Sequence, residues 1–321
     1  MPRRVEIIAP ATIANLGPGF DIVGMCLEEP FDTIHAELIE SAGVVIEAIT
    51  GDGGKLSLDP VKNTAGVAAS YALNQLGITN AGVKLTLHKG LPLASGLGSS
   101  AASAAGGAAA VNALFNSPLR RVQLLDAALE GEASVSGRHA DNVAPALLGG
   151  IVFVGGLTAD KLAPLPTPNG LVLALVTPDV AVPTVEARAV LPKQVPLSEM
   201  VKQTAAVAKL ISALYRNDLE ALGQAVEADC IIEPARRHLM PGLLEVREAA
   251  RARGAFGTTI SGAGPTLCSI CDSVATAQRV IDGVALIYAR MGLNAVTRIT
   301  RPSIEGVKVK VIGDDSTGLT C

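Results

Sequence analysis

The 321 residues are 49% hydrophobic and 17% charged, with a net charge of −4, 2% aromatic side chains and no Trp. A chain beyond about 250 residues tends to split its core, so two domains are favoured over one. With no basic block longer than Arg3-Arg4 or Arg236-Arg237 and almost no aromatic rings, the chain lacks what binding to nucleic acid or to an anionic membrane requires.

Strands are predicted over 5–8, 35–39 and 44–48, separated by Gly and Pro signals such as Gly51-Asp52-Gly53-Gly54. A helix over about 63–76, closed by Gly77, precedes an alternating strand over 82–87. A glycine-rich loop follows, then helices over about 100–115 and 121–134, a loop over 136–144 and a strand over 151–154. Residues 158–169 hold three prolines and read as a crossover between domains. The second half opens on an apolar strand over 171–177. Helices over about 198–216, 218–230 and 243–253, strands over 258–261 and 267–272, a helix over 275–291 and strands over 294–298 and 307–312 complete it. The division is therefore 1–165, 166–312 and a flexible polar tail, 313–321. Both halves read as α+β, with antiparallel pairing where short strands follow each other through tight turns.

The mean hydropathy of +0.41 invites a membrane reading, which the pattern refuses. The longest apolar stretch, 144–157, is broken by Pro145 and four glycines and falls short of the roughly 18 residues a span needs. Glu6 and Pro10 interrupt any apolar leader at the N-terminus. A soluble, unexported protein is expected, cytoplasmic, or plastid-located if a leader has been removed. The five cysteines are scattered, and Cys268-x-x-Cys271 has no second pair or His partner, so reduced core thiols are expected.

The stretch Pro92-Leu-Ala-Ser-Gly-Leu-Gly-Ser-Ser-Ala-Ala-Ser103 carries the chemistry. Gly96 and Gly98 let the backbone turn and approach a ligand, and the Ala-rich run behind them places a helix N-terminus at the loop. Such an end attracts anions through its free N–H groups and dipole, and Ser95, Ser99, Ser100 and Ser103 add hydroxyls. No Gly-Lys-Ser/Thr closes the loop, so it is not a Walker A motif. A tight turn with a serine N-cap is the plainer alternative.

Residues 92–102 resemble the second signature of the GHMP kinases. Ala9-Pro-Ala-Thr-Ile-Ala-Asn-Leu-Gly-Pro-Gly-Phe-Asp21 resembles the first, and Thr259-Ile-Ser-Gly-Ala-Gly-Pro-Thr266 the third. With Gly137-Arg-His-Ala-Asp-Asn-Val-Ala-Pro145 the likeness runs from about residue 5 to about 312, and its details are similar to the homoserine kinase branch. The resemblance implies a ribosomal protein S5 domain 2-like first domain and a ferredoxin-like second, with ATP and an acceptor between them. It implies phosphoryl transfer to the hydroxyl of L-homoserine, Mg²⁺ as cofactor, a place in threonine biosynthesis, and a homodimer.

Carried over by position, Pro92, Ser95, Gly96, Leu97, Gly98, Ser99, Ser100, Ala101 and Ser103 cradle the phosphates, Lys89 pairs with them, and Asn63 contacts adenine. Asn15, Asp21, His139 and Asn142 line the amino-acid pocket with Ser261 and Gly262, while Arg188 and Arg236 hold the substrate carboxylate. A zwitterion needs both a carboxylate such as Asp21 and a guanidinium fork such as Arg188. Ser100 and Glu132 would hold Mg²⁺, with Glu130 as the rival ligand, since two residues apart on a helix the two glutamates cannot face the same way. Arg188 also serves the γ-phosphate, and the general base stays open: Asp21 is the obvious carboxylate but suits the ammonium better, and Thr184 is a candidate to orient the hydroxyl.

Taken singly these residues have plainer readings. Lys89 would be a solvated strand-end lysine, Arg188 a surface partner of Glu186, Arg236 a helix cap near Glu233, Asp21 a turn residue after Gly19, Asn15 a strand-end cap, and His139 and Asn142 loop-stabilising polar groups. Two rival functions also stand: a kinase for mevalonate or a sugar, which would lack the paired ammonium and carboxylate partners, and a silent nucleotide-binding regulator, which would carry damaged phosphate or metal residues.

Overall fold

The computed structural model describes residues 1–312; the tail expected at 313–321 lies outside the described residues. The first half runs β1 (Arg4–Ala14), β2 (Val23–Ile39), β3 (Gly43–Thr50), α1 (Thr64–Gln75), β4 (Gly82–His88), α2 (Ser99–Leu114), α3 (Leu125–Ala133), α4 (Ala140–Leu148), β5 (Ile151–Val154) and β6 (Leu162–Leu165). The second half runs β7 (Val172–Pro178), α5 (Thr184–Ala189), α6 (Leu197–Arg216), α7 (Leu219–Val226), α8 (Ile232–Arg236), α9 (Leu243–Arg251), β8 (Gly257–Ile260), β9 (Leu267–Cys271) and α10 (Val274–Arg290). Two strands close the described chain, β10 (Ala295–Thr300) and β11 (Lys308–Ile312).

Two sheets organise the molecule. The larger follows the path β11-β1-β2-β4-β3, with β5 on β2 and β6 on β5. Its pairings are antiparallel except β3 with β4. Helix α2 lies buried from Ala101 to Leu114, and its run of alanines and glycines permits that closeness. The smaller sheet, β10-β7-β9-β8, is antiparallel and covered on both faces. Leu173, Leu175 and Ile270 pack with Leu210, Leu214 and Leu222 of α6 and α7. Val172, Ala174 and Val176 pack with Val246 of α9 and Val280 of α10. The period-2 alternation of a strand produces that division. It also sends Cys268 and Cys271 to opposite clusters, where burial pushes both thiols up, and both are free.

Several boundaries differ from the sequence reading. Strand β2 extends over 17 residues, where only 35–39 was expected, and β1 continues past Pro10. The ladder accommodates that proline beside a register shift between Pro10 and Thr12, a position a missing N–H tolerates. The expected loop over 136–144 is largely helix α4, which keeps Pro145 inside it. The proline crossover contains β6, paired to β5, and α7 ends at Val226 rather than near 230. Strand β11 pairs with β1, so by hydrogen bonding the end of the described chain belongs to the first sheet rather than to the 166–312 half. Among the described residues, no helix is long and apolar enough to cross a membrane.

Candidate active site

A cleft of about 350 Å³ opens where the β1–β2 turn, the loop before α2, and α4 and α5 converge. One wall is the glycine loop. Gly98, with φ of 68°, is the N-cap residue of α2, and no side chain caps the first turn. A Cβ there would lie 2.1 Å from Thr12 Oγ1, and one at Gly96 would lie 2.3 Å from the Ser261 carbonyl oxygen. Only glycine fits a loop pressed this closely between β1 and the 261–264 turn. The loop's carbonyls are already engaged. Ser95 Oγ donates to Pro92 O at 2.8 Å, Thr266 N–H to Ser95 O at 3.2 Å, Ser261 Oγ to Gly96 O at 2.7 Å and Thr12 N–H to Leu97 O at 3.1 Å. What the helix end offers a ligand is therefore its amides and dipole, an anion site.

Beside the loop lies Glu132. Its Oε1 accepts from Ser100 Oγ at 3.0 Å and from Ser136 Oγ, and burial pushes its carboxyl above the usual range. Its Oε2 has no partner. Among the described residues, the buried side-chain N and O atoms without a hydrogen-bond partner are Ser99 Oγ, Glu132 Oε2 and Arg188 Nε, and all three residues line this cleft. Glu130 instead pairs with Arg138 at the surface. No group of three or more His, Cys, Asp or Glu side chains gathers into a self-sufficient metal cluster among the described residues.

The opposite wall is a strained turn. Asn15, Leu16 and Asp21 have φ of 75°, 47° and 60°, conformations that cost non-glycine residues about 1–3 kcal/mol each and persist where surroundings enforce them. Asn15 enforces this one: its Nδ2 donates to Gly262 O at 3.0 Å and its Oδ1 accepts from Asp21 N–H at 3.1 Å. The Asp21 carboxylate faces Arg188 of α5, with Nη2 to Oδ1 at 2.6 Å and Nη1 to Oδ2 at 3.1 Å. His139 Nδ1 stands 4.0 Å from Asp21 Oδ2, and burial, aided by the Arg188 charge, pushes that imidazole below its ordinary range. Arg188 and Arg236 each place a guanidinium carbon 5.2 Å from the Phe20 ring centre. Arg236 is buried; its Nε donates to Ala187 O and its Nη1 to Gly262 O, both at 2.9 Å. Burial and then the Arg188 charge lower it to about 10. Asn142 Oδ1 accepts from Thr12 Oγ1 at 2.8 Å, and Thr184 sits at the start of α5 on the rim.

Most of the residues singled out in the sequence thus converge, but several do so differently from expectation. Lys89 lines the cleft but is not solvated. Its ammonium is buried against Asp32 and donates to Ser103 Oγ at 2.7 Å and to Ser99 O at 3.1 Å. Asp32 Oδ1 in turn accepts from the N–H groups of Gly90 and Leu91 at 2.9 and 3.0 Å. Burial pushes Asp32 up and Lys89 down, and each charge pulls the other back. Asn63 lines the cleft, yet its Oδ1 caps α1 through Ala65 N–H and its Nδ2 donates to Ser57 O. The side chains of Leu97 and Ala101 are in the apolar core, Pro92 is exposed outside the cleft lining, and Ser261 is buried behind the loop. Among the residues that went unassigned from sequence, three stand out besides Ser136. Phe20 adjoins Asp21 in the first signature, Asp141 lies between His139 and Asn142, and Asp32 has no local signal. Asp141 lines the cleft fully buried, and burial, with the Asp21 charge, pushes its carboxyl up to about 7.

An uncapped phosphate-type loop, a buried carboxylate with a vacant oxygen and an acid–base pair meet in one cleft, an arrangement suited to a kinase with a small acceptor. Residues 63–150 match the family model of the GHMP kinases N terminal domain, and residues 210–289 match that of the GHMP kinases C terminal domain. This is a class of ATP-dependent small-molecule kinases. A homoserine kinase of Arabidopsis thaliana is 42% identical over 311 residues, which span 95% of this chain and 84% of that protein. One from Chlorobium phaeobacteroides is 41% identical, over 96% of this chain and 99% of the relative. The crystal structure of homoserine kinase from Cytophaga hutchinsonii superposes with a TM-score of 0.91 at 38% identity, covering 97% of this chain and 98% of that one. The chain belongs to the homoserine kinase family of the GHMP kinases.

Proposed function

We propose that this protein transfers the γ-phosphoryl group of ATP to the side-chain hydroxyl of L-homoserine, giving O-phospho-L-homoserine for threonine biosynthesis. The observation that carries the reading is the pairing, in one cleft, of an open helix N-terminus with the Asp21–Arg188 pair, a ready set of opposite charges for a zwitterion. The amides at the start of α2 and Ser99 Oγ receive the phosphates, and Asn63 shapes the wall on which adenine rests. Asp21 takes the substrate ammonium; Arg188, assisted by the remaining Nη2 of Arg236, takes its carboxylate. Asn15, His139, Asn142 and Gly262 hold the walls of that pocket.

Charge placement and orientation supply the rate in this reading. Arg188 Nε stands unpartnered at the junction of the two halves, available to the transferred group, and Thr184 on the same helix orients the hydroxyl. Lys89 serves through position: by gripping the Ser99 carbonyl it fixes where α2 begins. The Ser100 hydroxyl and the vacant Oε2 of buried Glu132 fit Mg²⁺, a hard cation that takes few protein oxygens and keeps phosphate and water as its other ligands. When bound, the ion would draw negative charge off the phosphate oxygens.

A coupled ADP-release assay across L-homoserine, mevalonate, galactose and shikimate tests the reading. Turnover is expected with L-homoserine; ATP binding without that turnover would sink it. The same preparation in sedimentation velocity tests the homodimer that kinship favours.

A further inference from the structure

The Asp21–Arg188 pair carries more than two binding roles, because each partner is occupied by the other. Both oxygens of Asp21 and both terminal nitrogens of Arg188 are engaged in one fork. The two side chains come from opposite walls of the cleft, the β1–β2 turn and α5, and they keep 32% and 29% exposure. A pair so exposed is worth little and opens readily. The neighbouring cation offers no second fork: Arg236 is buried and spends Nε and Nη1 on the Ala187 and Gly262 carbonyls, which leaves Nη2 to assist Arg188. His139, at 4.0 Å, is held toward its neutral form.

We propose that the Asp21–Arg188 pair sets acceptor selectivity by ion-pair exchange. The proposal rests on the reading that the site takes an α-amino acid. A zwitterion breaks one pair and forms two, its ammonium on Asp21 and its carboxylate on Arg188. A ligand with only a carboxylate breaks the same pair and strands Asp21; one with only an ammonium strands Arg188. The internal pair thus acts against singly charged alcohols, a repulsive element of the kind specificity requires. It does so without a steric filter, which a pocket for so small an acceptor could not easily provide.

The test uses two fragments of the acceptor, 4-hydroxybutyrate without the ammonium and 3-amino-1-propanol without the carboxylate. Their dissociation constants are measured by calorimetry on the wild type and on Asp21→Asn and Arg188→Gln variants. Asp21→Asn frees Arg188 and should tighten 4-hydroxybutyrate about five-fold, while weakening L-homoserine. Arg188→Gln should do the same for 3-amino-1-propanol. The tightening should survive 0.5 M NaCl, because a contact competitor is removed rather than a distant charge. Unchanged fragment affinities in both variants, or gains that vanish in salt, would overturn the exchange. The two variants are independent, so misfolding of one leaves the other decisive. Failure of the wild type to turn over L-homoserine would sink the functional reading alone, since the fragments are read by binding.

Discussion

Two ion pairs, one in the wall of the cleft and one behind it, behave as opposites. Asp32–Lys89 is sealed, each side chain 1% exposed, with Asp32 Oδ1 also tied to two loop amides and the ammonium to a carbonyl and a serine. Asp21–Arg188 is about a third exposed, and around it stand only looser contacts, His139 at 4.0 Å from Asp21 and the Phe20 ring beside Arg188, besides the Asp21 N–H bond to Asn15. A sealed pair has no route for exchange, because either charge left alone in the interior carries a large desolvation penalty. A half-open pair has water as an alternative partner and can trade it for a ligand. The chemistry of the side chains is the same in kind; depth decides whether a charge pair is scaffold or socket.

The sharpest way to break the comparison is to open the sealed pair. Asp32→Asn or Lys89→Met should cost about 3–5 kcal/mol in denaturant unfolding, since each leaves a buried charge unpaired. The double variant Asp32→Leu/Lys89→Met should recover much of that loss, as apolar replacements of buried pairs often do. If the single changes cost less than about 1 kcal/mol, Lys89 is not held by Asp32 and is free to pair with phosphate.

Glu132 sharpens the contrast from the other side. It is as buried as Asp32 but has no basic partner, only two serine hydroxyls on one oxygen. Glu132→Gln should therefore leave stability unchanged or raise it, while turnover with Mg-ATP falls by about two orders of magnitude, near 2.7 kcal/mol. Two buried carboxylates would then respond to the same amide substitution with opposite signs, one read in unfolding and the other in initial rates.

Asp141 is a third buried acid, and its signature is a pH dependence. Its carboxyl is raised from 3.8 to about 7 in the fold, first by burial and then by Asp21. Between those values the folded state binds the proton more readily than the unfolded chain, so this group's contribution to stability falls as pH rises and levels off above 7. The gain in stability from Asp141→Asn should accordingly grow between pH 4 and pH 7, reaching on the order of 4 kcal/mol, and then stay flat. A gain that shrinks over that window would contradict the raised value.

These contrasts also show what the sequence could tell. The phosphate loop was legible because its requirements are local: Gly96 and Gly98 must be glycine for the close approach to Ser261 and Thr12, and the alanines behind them declare a helix. Asp21, Arg188 and Glu132 came through the likeness of motifs, and they do meet. Asp32 did not, because its partner is 57 residues away and no local pattern marks a buried aspartate in the middle of a long strand. Its absence from the reading is why Lys89 looked free for phosphate. Helix α4 was hidden by Pro145, and the length of β2 by Glu28, Glu29 and Pro30, polar and breaker signals that pairing with β1, β4 and β5 overrides.

The smallest expected effect falls on the open pair. Asp21→Asn should change unfolding free energy by less than about 1 kcal/mol, because a third-exposed pair returns both groups to water when broken. There is a reason to expect even less. Asp21 sits at φ 60°, a conformation that asparagine tolerates as well as aspartate does, and its N–H bond to Asn15 is a backbone bond that the substitution keeps. The turn should hold while the charge is lost. Equilibrium unfolding of this variant beside Asp32→Asn gives the comparison its number: a ratio near one would mean that depth is not what separates the two pairs, and a several-fold difference would mean that it is.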